Sequence, residues 1–342
     1  MSSKKKLSRK RNIIDKNDSI ISNDENIKCE ENSESNPENN IENPVNIPEE
    51  KPKITTLIMA SAGIKGVSYI GFLKYLENND MVKNINKIIG NSAGSIFSLY
   101  FILGYNYTEL YNFFSTIKIA DYQDITADSL LQFTDTLGLD TDKKLEEYIK
   151  NIFINKGLKY NITFKELYEK NPVHFMVYST CITDGTYHVF DYINNPDMEV
   201  WLAIRISSSV PFLYSPVKYK DKEYIDGGVN ISSPIHLIED EIENTIIVDC
   251  IKKYERETIM SYITTIINCC QYYGNKNLEK YSKYIIIMDL EFYALNFNLD
   301  SDTILSSIDI GYNITEKYFK TRFDNWNNLL NKIVFKVYKV FK

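Results

Sequence analysis

A chain of 342 residues with 44% hydrophobic residues is long enough for one large or two modest domains, and its net charge of −7 excludes the basic face that a nucleic-acid binder needs. Five cysteines (Cys29, Cys181, Cys250, Cys269, Cys270) are odd in number, scattered and without a C-x-x-C, which predicts reduced thiols in an intracellular compartment and no zinc site. No apolar run approaches the roughly 20 residues that span a bilayer and the polar start does not read as a signal peptide, so membrane contact is expected to be peripheral.

Residues 1–53 read as a disordered polar tail. Six basic residues, from Lys4 to Arg11, come first, and Asp15 to Glu50 then supplies eleven acids among Asn, Ser and Pro. Such a segment cannot bury enough apolar surface to offset its ordering entropy. Its basic cluster reads first as a solvated charge run, with a nuclear-localisation or acidic-lipid patch as the alternative.

The folded part begins at Ile54. Thr55 to Met59 is a β-rich run, Ser61 to Gly66 a small-residue turn, and Val67 to Asn79 carries Val67, Ile70, Phe72, Leu73 and Leu76 at helical spacing. A second strand, Ile88-Ile89, arrives at Gly90-Asn91-Ser92-Ala93-Gly94, and Ser95 to Leu103 leaves it with helical length. This G-x-S-x-G between a strand and a helix predicts a nucleophile elbow: Ser92 on a strained turn, its hydroxyl at a helix N-terminus where unpaired N–H groups favour negative charge. The order β-α-β-α is that of a parallel sheet covered by helices. The phosphate-loop pattern is absent, and no acid sits at dinucleotide-fold spacing.

From Asn106 to Leu158 the periodicity is helical and predicts an inserted cap. Thr163-Phe164-Lys165-Glu166 has capping-box spacing, so a helix should run from there to Lys170. Val173 to Tyr178 and Tyr187 to Phe190 read as strands joined around Asp184-Gly185, and Met198 to Ser208 as a helix running into Ser209-Val210-Pro211. Glu223 to Ile225 leads into Asp226-Gly227-Gly228, and Thr245 to Ile251 and Tyr284 to Leu290 are buried-strand candidates.

Taken in order, these motifs resemble the patatin-like phospholipase family of lipid acyl hydrolases, over roughly Ile54 to Asp240. Its glycine-rich oxyanion loop, typically Gly-Gly-Gly-x-Lys/Arg-Gly, corresponds to Ser61-Ala62-Gly63-Ile64-Lys65-Gly66. The elbow corresponds to Gly90–Gly94, Ser207–Pro211 resembles the segment before the last sheet strand, and Asp226–Gly228 matches the Asp-Gly-Gly motif. The richness in Tyr, Ile, Asn and Lys adds an AT-rich codon bias, as in some large DNA viruses. The resemblance implies an α/β fold of three layers, a mainly parallel central sheet with helices on both faces. The expected domains are the patatin-like domain at 54–240 and, at 241–342, a C-terminal continuation with terminal helices.

The resemblance also implies the chemistry: Ser92 and Asp226 as a Ser-Asp dyad cleaving phospholipid or related acyl esters through an acyl-enzyme, with the oxyanion met by backbone amides of Gly63, Ile64, Lys65 and Gly66. No cofactor or metal is implied, and oligomeric state is left open. Ser61 and Ala62 depart from the family loop, and the loop would suffer if the chain had to turn left-handed at either. Two alternatives stand beside this reading: a catalytically silent module that binds membranes or a partner, and an α/β-hydrolase esterase in which His236 completes a triad. His174 and His188 read as half-exposed sheet residues, Ser207 to Ser209 as hydrogen-bonding serines, and Lys65 as either a headgroup contact or a solvated or loop-pairing lysine. Cys269 and Cys270 read as packed thiols, and Asp300-Ser301-Asp302 lacks the rest of a calcium loop. At the end of the chain, Lys332, Lys336, Lys339 and Lys342 share one helix face opposite Trp326, Leu329, Leu330 and Ile333. That pattern suits an interfacial helix on anionic lipid or one docked on the protein.

Overall fold

The computed structural model describes residues 53–254, 256–274 and 278–340, with the side chains of Tyr273 and of residues 323–340 outside the description. The expected tail, and the amphipathic faces expected of the last helix, therefore lie outside the described residues.

The first half of the chain alternates as its periodicity predicts: β1 (Thr56–Met59), α1 (Ser68–Asn78), β2 (Lys87–Asn91) and α2 (Ala93–Ile102). The cap region follows as α3 (Tyr107–Thr116), the short α4 (Ala127–Leu131) and α5 (Phe133–Thr136), and α6 (Lys143–Ile154). Next are α7 (Phe164–Lys170), β3 (His174–Cys181), β4 (Thr186–Phe190), α8 (Val200–Ser207), β5 (Val217–Tyr219) and β6 (Lys222–Asp226). Last are β7 (Thr245–Cys250), α9 (Ile259–Gly274), β8 (Ile285–Met288) and α10 (Ser301–Val340). The capping box at Thr163 forms as its spacing predicts, Thr163 and Glu166 each bonding the other's backbone N–H. The strand Val217–Tyr219 was not foreseen; it is three residues long, at the sheet edge, and pairs with one neighbour.

The strands form one sheet in the order β5-β6-β3-β2-β1-β7-β8, with β4 pairing β3. Contacts β3-β2-β1-β7-β8 are parallel; β6 and β4 run antiparallel to β3. Because side chains alternate along a strand, the sheet has two apolar faces. Leu57, Ile88 and Val248 belong to the larger core with α1, α2 and α10, whereas Ile58, Ile89 and Ile247 pack against Ile235, Ile238 and Tyr284 from short 3-10 turns. One layer is thus built of long helices and the other, under the central strands, of single turns. Both faces being covered explains why β1 and β7 are apolar without alternation.

The register sets the position of the site. Asn91 of β2 stands opposite Tyr178 of β3, and the next residue of β3, Ser179, stands opposite Asp226 of β6 on that same edge, because β4 occupies the other edge along Val177–Cys181. β2 and the antiparallel β6 therefore meet end to end along one edge of β3, which brings the residue after Asn91 against the last residue of β6.

Candidate active site

Ser92 is the N-cap of α2, with φ 53 and ψ −129. This is a conformation that costs a residue with a Cβ of order 1–3 kcal/mol. It is held by its surroundings. The Ser92 amide donates to Ser207 Oγ at 2.8 Å, and that hydroxyl donates onward to the Tyr178 carbonyl at 2.6 Å. The flanking glycines are required sterically: a Cβ on Gly90 would lie 2.5 Å from Ser95 Cα, and one on Gly94 only 2.0 Å from the Met59 carbonyl oxygen. Asn91, at the end of β2, donates through Nδ2 to the Ile231 and Ser232 carbonyls, fixing the chain that follows the Asp-Gly-Gly turn.

Asp226 arrives at the end of β6, which runs antiparallel to β3 along the same edge as β2 and stops where β2 stops. Its amide donates to the Ser209 carbonyl at 2.9 Å, and its Oδ1 accepts the Gly228 N–H at 2.6 Å. A Cβ on Gly227 would lie 2.3 Å from Asn91 Oδ1, and one on Gly228 2.8 Å from Asp226 Oδ1. Ser92 Oγ donates to Asp226 Oδ2 at 2.5 Å across 134 residues of sequence. Asp226 is 2% exposed and Ser92 6%. Burial pushes the Asp226 carboxyl up to about 7, against the pull of its bonds to Ser92 and Gly228.

The loop after β1 supplies amides. Its left-handed residue is Gly63, at φ 55, whereas Ala62 has φ −138, so the serine and alanine that replace glycines stand where no left-handed turn is needed. The Ile64 N–H is committed to the Ala294 carbonyl at 2.8 Å, which removes it from the amides expected to face a substrate oxygen. Lys65 and Gly66 lie inside the 3-10 turn Gly63–Val67. Lys65 is the loop-pairing lysine and not a solvated one: it is 2% exposed, and its ammonium donates to the Ile251 and Leu290 carbonyls, burial holding it down to about 8. The amides of Ala62 and Gly63 make no hydrogen bond among the described residues and border the same space as Ser92.

Two cavities open beside Ser92. One, of about 130 Å³, is walled by apolar side chains including Ile96, Phe97, Phe114, Leu145 and Phe297. The other, of about 60 Å³, contains Asp226 and the amide loop and is bordered by Lys65, Lys252, Lys253 and Gln271. Leu295, from the segment that follows β8, lines both. Beneath the second cavity Asp249 accepts from Ser232 Oγ and Ser233 Oγ, and Gln271 Nε2 donates to the Gly228 carbonyl.

His236 is elsewhere engaged. Its ring packs edge-on against Tyr187 and Tyr178, at 4.8 and 6.0 Å, and the carboxylate that a triad histidine would hold is bonded directly by the serine. His174 and His188 are half-buried sheet residues, as expected, bonded to Asp191 and Asp184. Among the described residues one group, Cys181, Asp184 and His188, brings metal-ligating atoms within 4.8 Å of one another. There Lys222 already sets its ammonium 2.7 Å from Asp184 Oδ2. Cys269 and Cys270 are exposed, contrary to the packed thiols expected, because α9 turns that side away from the core. Sequence reasoning missed the anchoring roles of Ser207 and Ser209, and Ala294, Lys252 and Gln271 altogether; the last three lie in a region without a motif.

The sequence pattern of the patatin-like phospholipases matches residues 57–238. The chain belongs to that family. Among curated relatives, it is 32% identical over 191 residues to a probable lipid hydrolase, 463L, of Invertebrate iridescent virus 6, covering 55% of this chain and 64% of that protein. It is 29% identical over 198 residues to the uncharacterized protein R571 of Acanthamoeba polyphaga mimivirus, again with 64% of the relative covered. The chain thus spans just under two thirds of the length of these two relatives. The uncharacterized protein YqhO of Bacillus subtilis matches at 25% identity over 77% of this chain and 97% of its own. In fold, the crystal structure of VipD from Legionella pneumophila superposes with a TM-score of 0.51 at 14% identity, covering 79% of this chain and 67% of that one. The patatin-like α/β fold expected from the motifs is the fold observed. Among the described residues no helix is long and apolar enough to cross a membrane.

Proposed function

We propose that this patatin-like chain hydrolyses carboxylic ester bonds of acyl lipids, with Ser92 as nucleophile and Asp226 as the base. The observation that carries the reading is the Ser92 Oγ–Asp226 Oδ2 hydrogen bond of 2.5 Å at the mouth of an apolar cavity. A serine hydroxyl needs a base to take its proton, and a carboxylate poised near 7 is matched to that task at neutral pH. As Oγ bonds to the ester carbonyl carbon, its proton passes to Asp226. The carbon–alkoxy bond then breaks and the same proton goes to the leaving alcohol oxygen, leaving an acyl-serine. Water next gives a proton to Asp226 and its oxygen to the acyl carbon; on collapse the proton returns to Ser92 and the fatty acid departs. The amides of Ala62 and Gly63 are assigned to the oxyanion, in place of Ile64; a donor of this kind contributes about 3–4 kcal/mol where one has been removed from other enzymes. The apolar cavity takes the acyl chain.

A second reading, a patatin-like module that binds lipid or a partner without turnover, draws on the Ile64–Ala294 bond, which closes one side of the amide loop. A fluorescent phospholipid assay separates the two. Under the hydrolase reading the wild type turns over and Ser92→Ala does not, whereas an inert wild-type protein that still binds vesicles supports the module.

A further inference from the structure

The cavity that holds Ser92 and Asp226 is bordered by ammonium groups from beyond residue 238, where the family match ends. Lys252 and Lys253 follow β7 directly, and Lys65 reaches the same space from the amide loop. The three charges act on one another: after burial, Lys253 and Lys252 both push the Lys65 ammonium towards its neutral form. Two of the three are committed to the protein. Lys65 donates to two carbonyls, and Lys252 lies 2.7 Å from Ser232 Oγ and 3.2 Å from Asp249 Oδ1. Lys253 differs. Among the described residues its ammonium meets only the Glu291 carboxylate, at 2.8 Å, and that carboxylate stands on a side chain 95% exposed to solvent. So exposed a pair is worth little. It nonetheless marks where an anionic oxygen sits, since the Glu291 carboxyl is drawn below its usual range by Lys253 and, further off, by Lys65. The backbone of Lys253 is fixed independently, its carbonyl accepting from Asn268 Nδ2 at 2.9 Å.

We propose that Lys253, backed by Lys65 and Lys252, is a subsite for the phosphoryl oxygens of a phospholipid headgroup, entered when Glu291 swings into water. The inference rests on the acyl-hydrolase reading above. In a glycerophospholipid the phosphate and the ester are carried on the same three-carbon glycerol. When the carbonyl meets Ser92 and the chain lies among Phe97 and Phe114, the phosphate falls in the cavity that Lys253 borders. Exchanging the Glu291 carboxylate for a phosphodiester replaces one negative charge by another, so no ammonium is left unpaired. A neutral glyceride gives Lys253 nothing to hold. Charge-assisted hydrogen bonds contribute enough for a discrimination of about tenfold or more.

The test uses the full chain in two arms. In mixed micelles, wild type, Lys253→Gln and Glu291→Gln are assayed on a phospholipid and on the diacylglycerol with the same acyl chains. The ratio of kcat/KM for phospholipid to that for diacylglycerol should fall about tenfold in Lys253→Gln and rise in Glu291→Gln, with Lys253→Arg close to wild type. An unchanged ratio in both Gln variants, or equal loss on the two lipids, overturns the subsite. The second arm does not depend on turnover. Ser92→Ala protein is titrated with monomeric dihexanoyl phosphatidylglycerol, and adding Lys253→Gln should weaken Kd about tenfold. That arm stands even if the wild type hydrolyses neither lipid, so the two failures are distinguishable; an unchanged Kd sinks the subsite alone. Inorganic phosphate is the competitor: displacement of the lipid at concentrations as low as the lipid's own Kd would assign the site to free phosphate and overturn the headgroup assignment.

Discussion

Ser207 Oγ accepts the amide N–H of Ser92 at 2.8 Å and donates its own hydrogen bond to the carbonyl of Tyr178. Two residues on, the Ser209 carbonyl takes the amide of Asp226. One short stretch at the end of α8 therefore holds both members of the proposed dyad, where β2 and β6 meet on one edge of β3. Ser207→Ala should leave a buried N–H without a partner, costing roughly 1–3 kcal/mol of stability. It should also lower kcat more than it raises KM, because Ser92 would be misplaced. Ser208 is the control: its hydroxyl has no partner, so Ser208→Ala should stay within about 0.5 kcal/mol of wild type in urea denaturation.

The strain at Ser92 gives a second expectation. At φ 53 and ψ −129 glycine is at ease and alanine is not. Ser92→Gly and Ser92→Ala should both be inactive, yet the glycine variant should be the more stable by about 1 kcal/mol or more. Equal urea midpoints would show that the elbow stores no strain.

Asp226 yields a pH profile. As the base it must be ionised, so log kcat/KM should climb with pH and level off above about 7. The stability effect has the opposite sense. The folded pKa is raised above the unfolded one, so the contribution of Asp226 is fully present below the unfolded carboxyl pKa and is lost as pH rises through about 7. Asp226→Asn should therefore be nearly inactive and more thermostable than wild type at pH 8. His236→Ala should keep most activity, and its loss in a folded protein would restore the triad.

The contact between α1 and α10 offers a test remote from the chemistry. A Cβ on Gly71 would lie 2.0 Å from the Ile308 carbonyl oxygen, and one on Gly311 2.0 Å from that of Ser68. Each helix presents a glycine to the other's backbone, so neither clash can be relieved by a side chain. Gly71→Ala and Gly311→Ala should each destabilise by about 1–3 kcal/mol, and the two should be non-additive in a double-mutant cycle. Independent, small effects would place the helices further apart than described.

The parts of this site legible in the sequence are those in which one short motif carries its own geometry. Gly90–Gly94 announces a turn because its glycines answer to clashes, and Asp226-Gly227-Gly228 does the same. What stayed hidden depends on partners brought together only by folding. Nothing near Lys65 in sequence reveals that the carbonyls of Ile251 and Leu290 will surround its ammonium, so a headgroup contact, a solvated lysine and a loop-pairing one all stayed open. The Ile64 amide reads as free until Ala294 arrives from beyond β8. Cys269 and Cys270 lie in an apolar run whose period was too weak to say which side faces outward.

The sheet order bears on how little of this chain can be made alone. The family match ends at residue 238, whereas β1 at the centre of the sheet is hydrogen-bonded on one flank to β2 and on the other to β7, Thr245–Cys250. A fragment stopped at residue 240 would turn Thr56–Met59, wholly buried and without a charge, into a bare edge with unpaired N–H and C=O groups. Such an edge is a template for another copy of itself. The expected behaviour of that fragment is self-association through β1 into insoluble material, so the last hundred residues act as the guard that keeps the family-matched half of the molecule from recruiting its own kind.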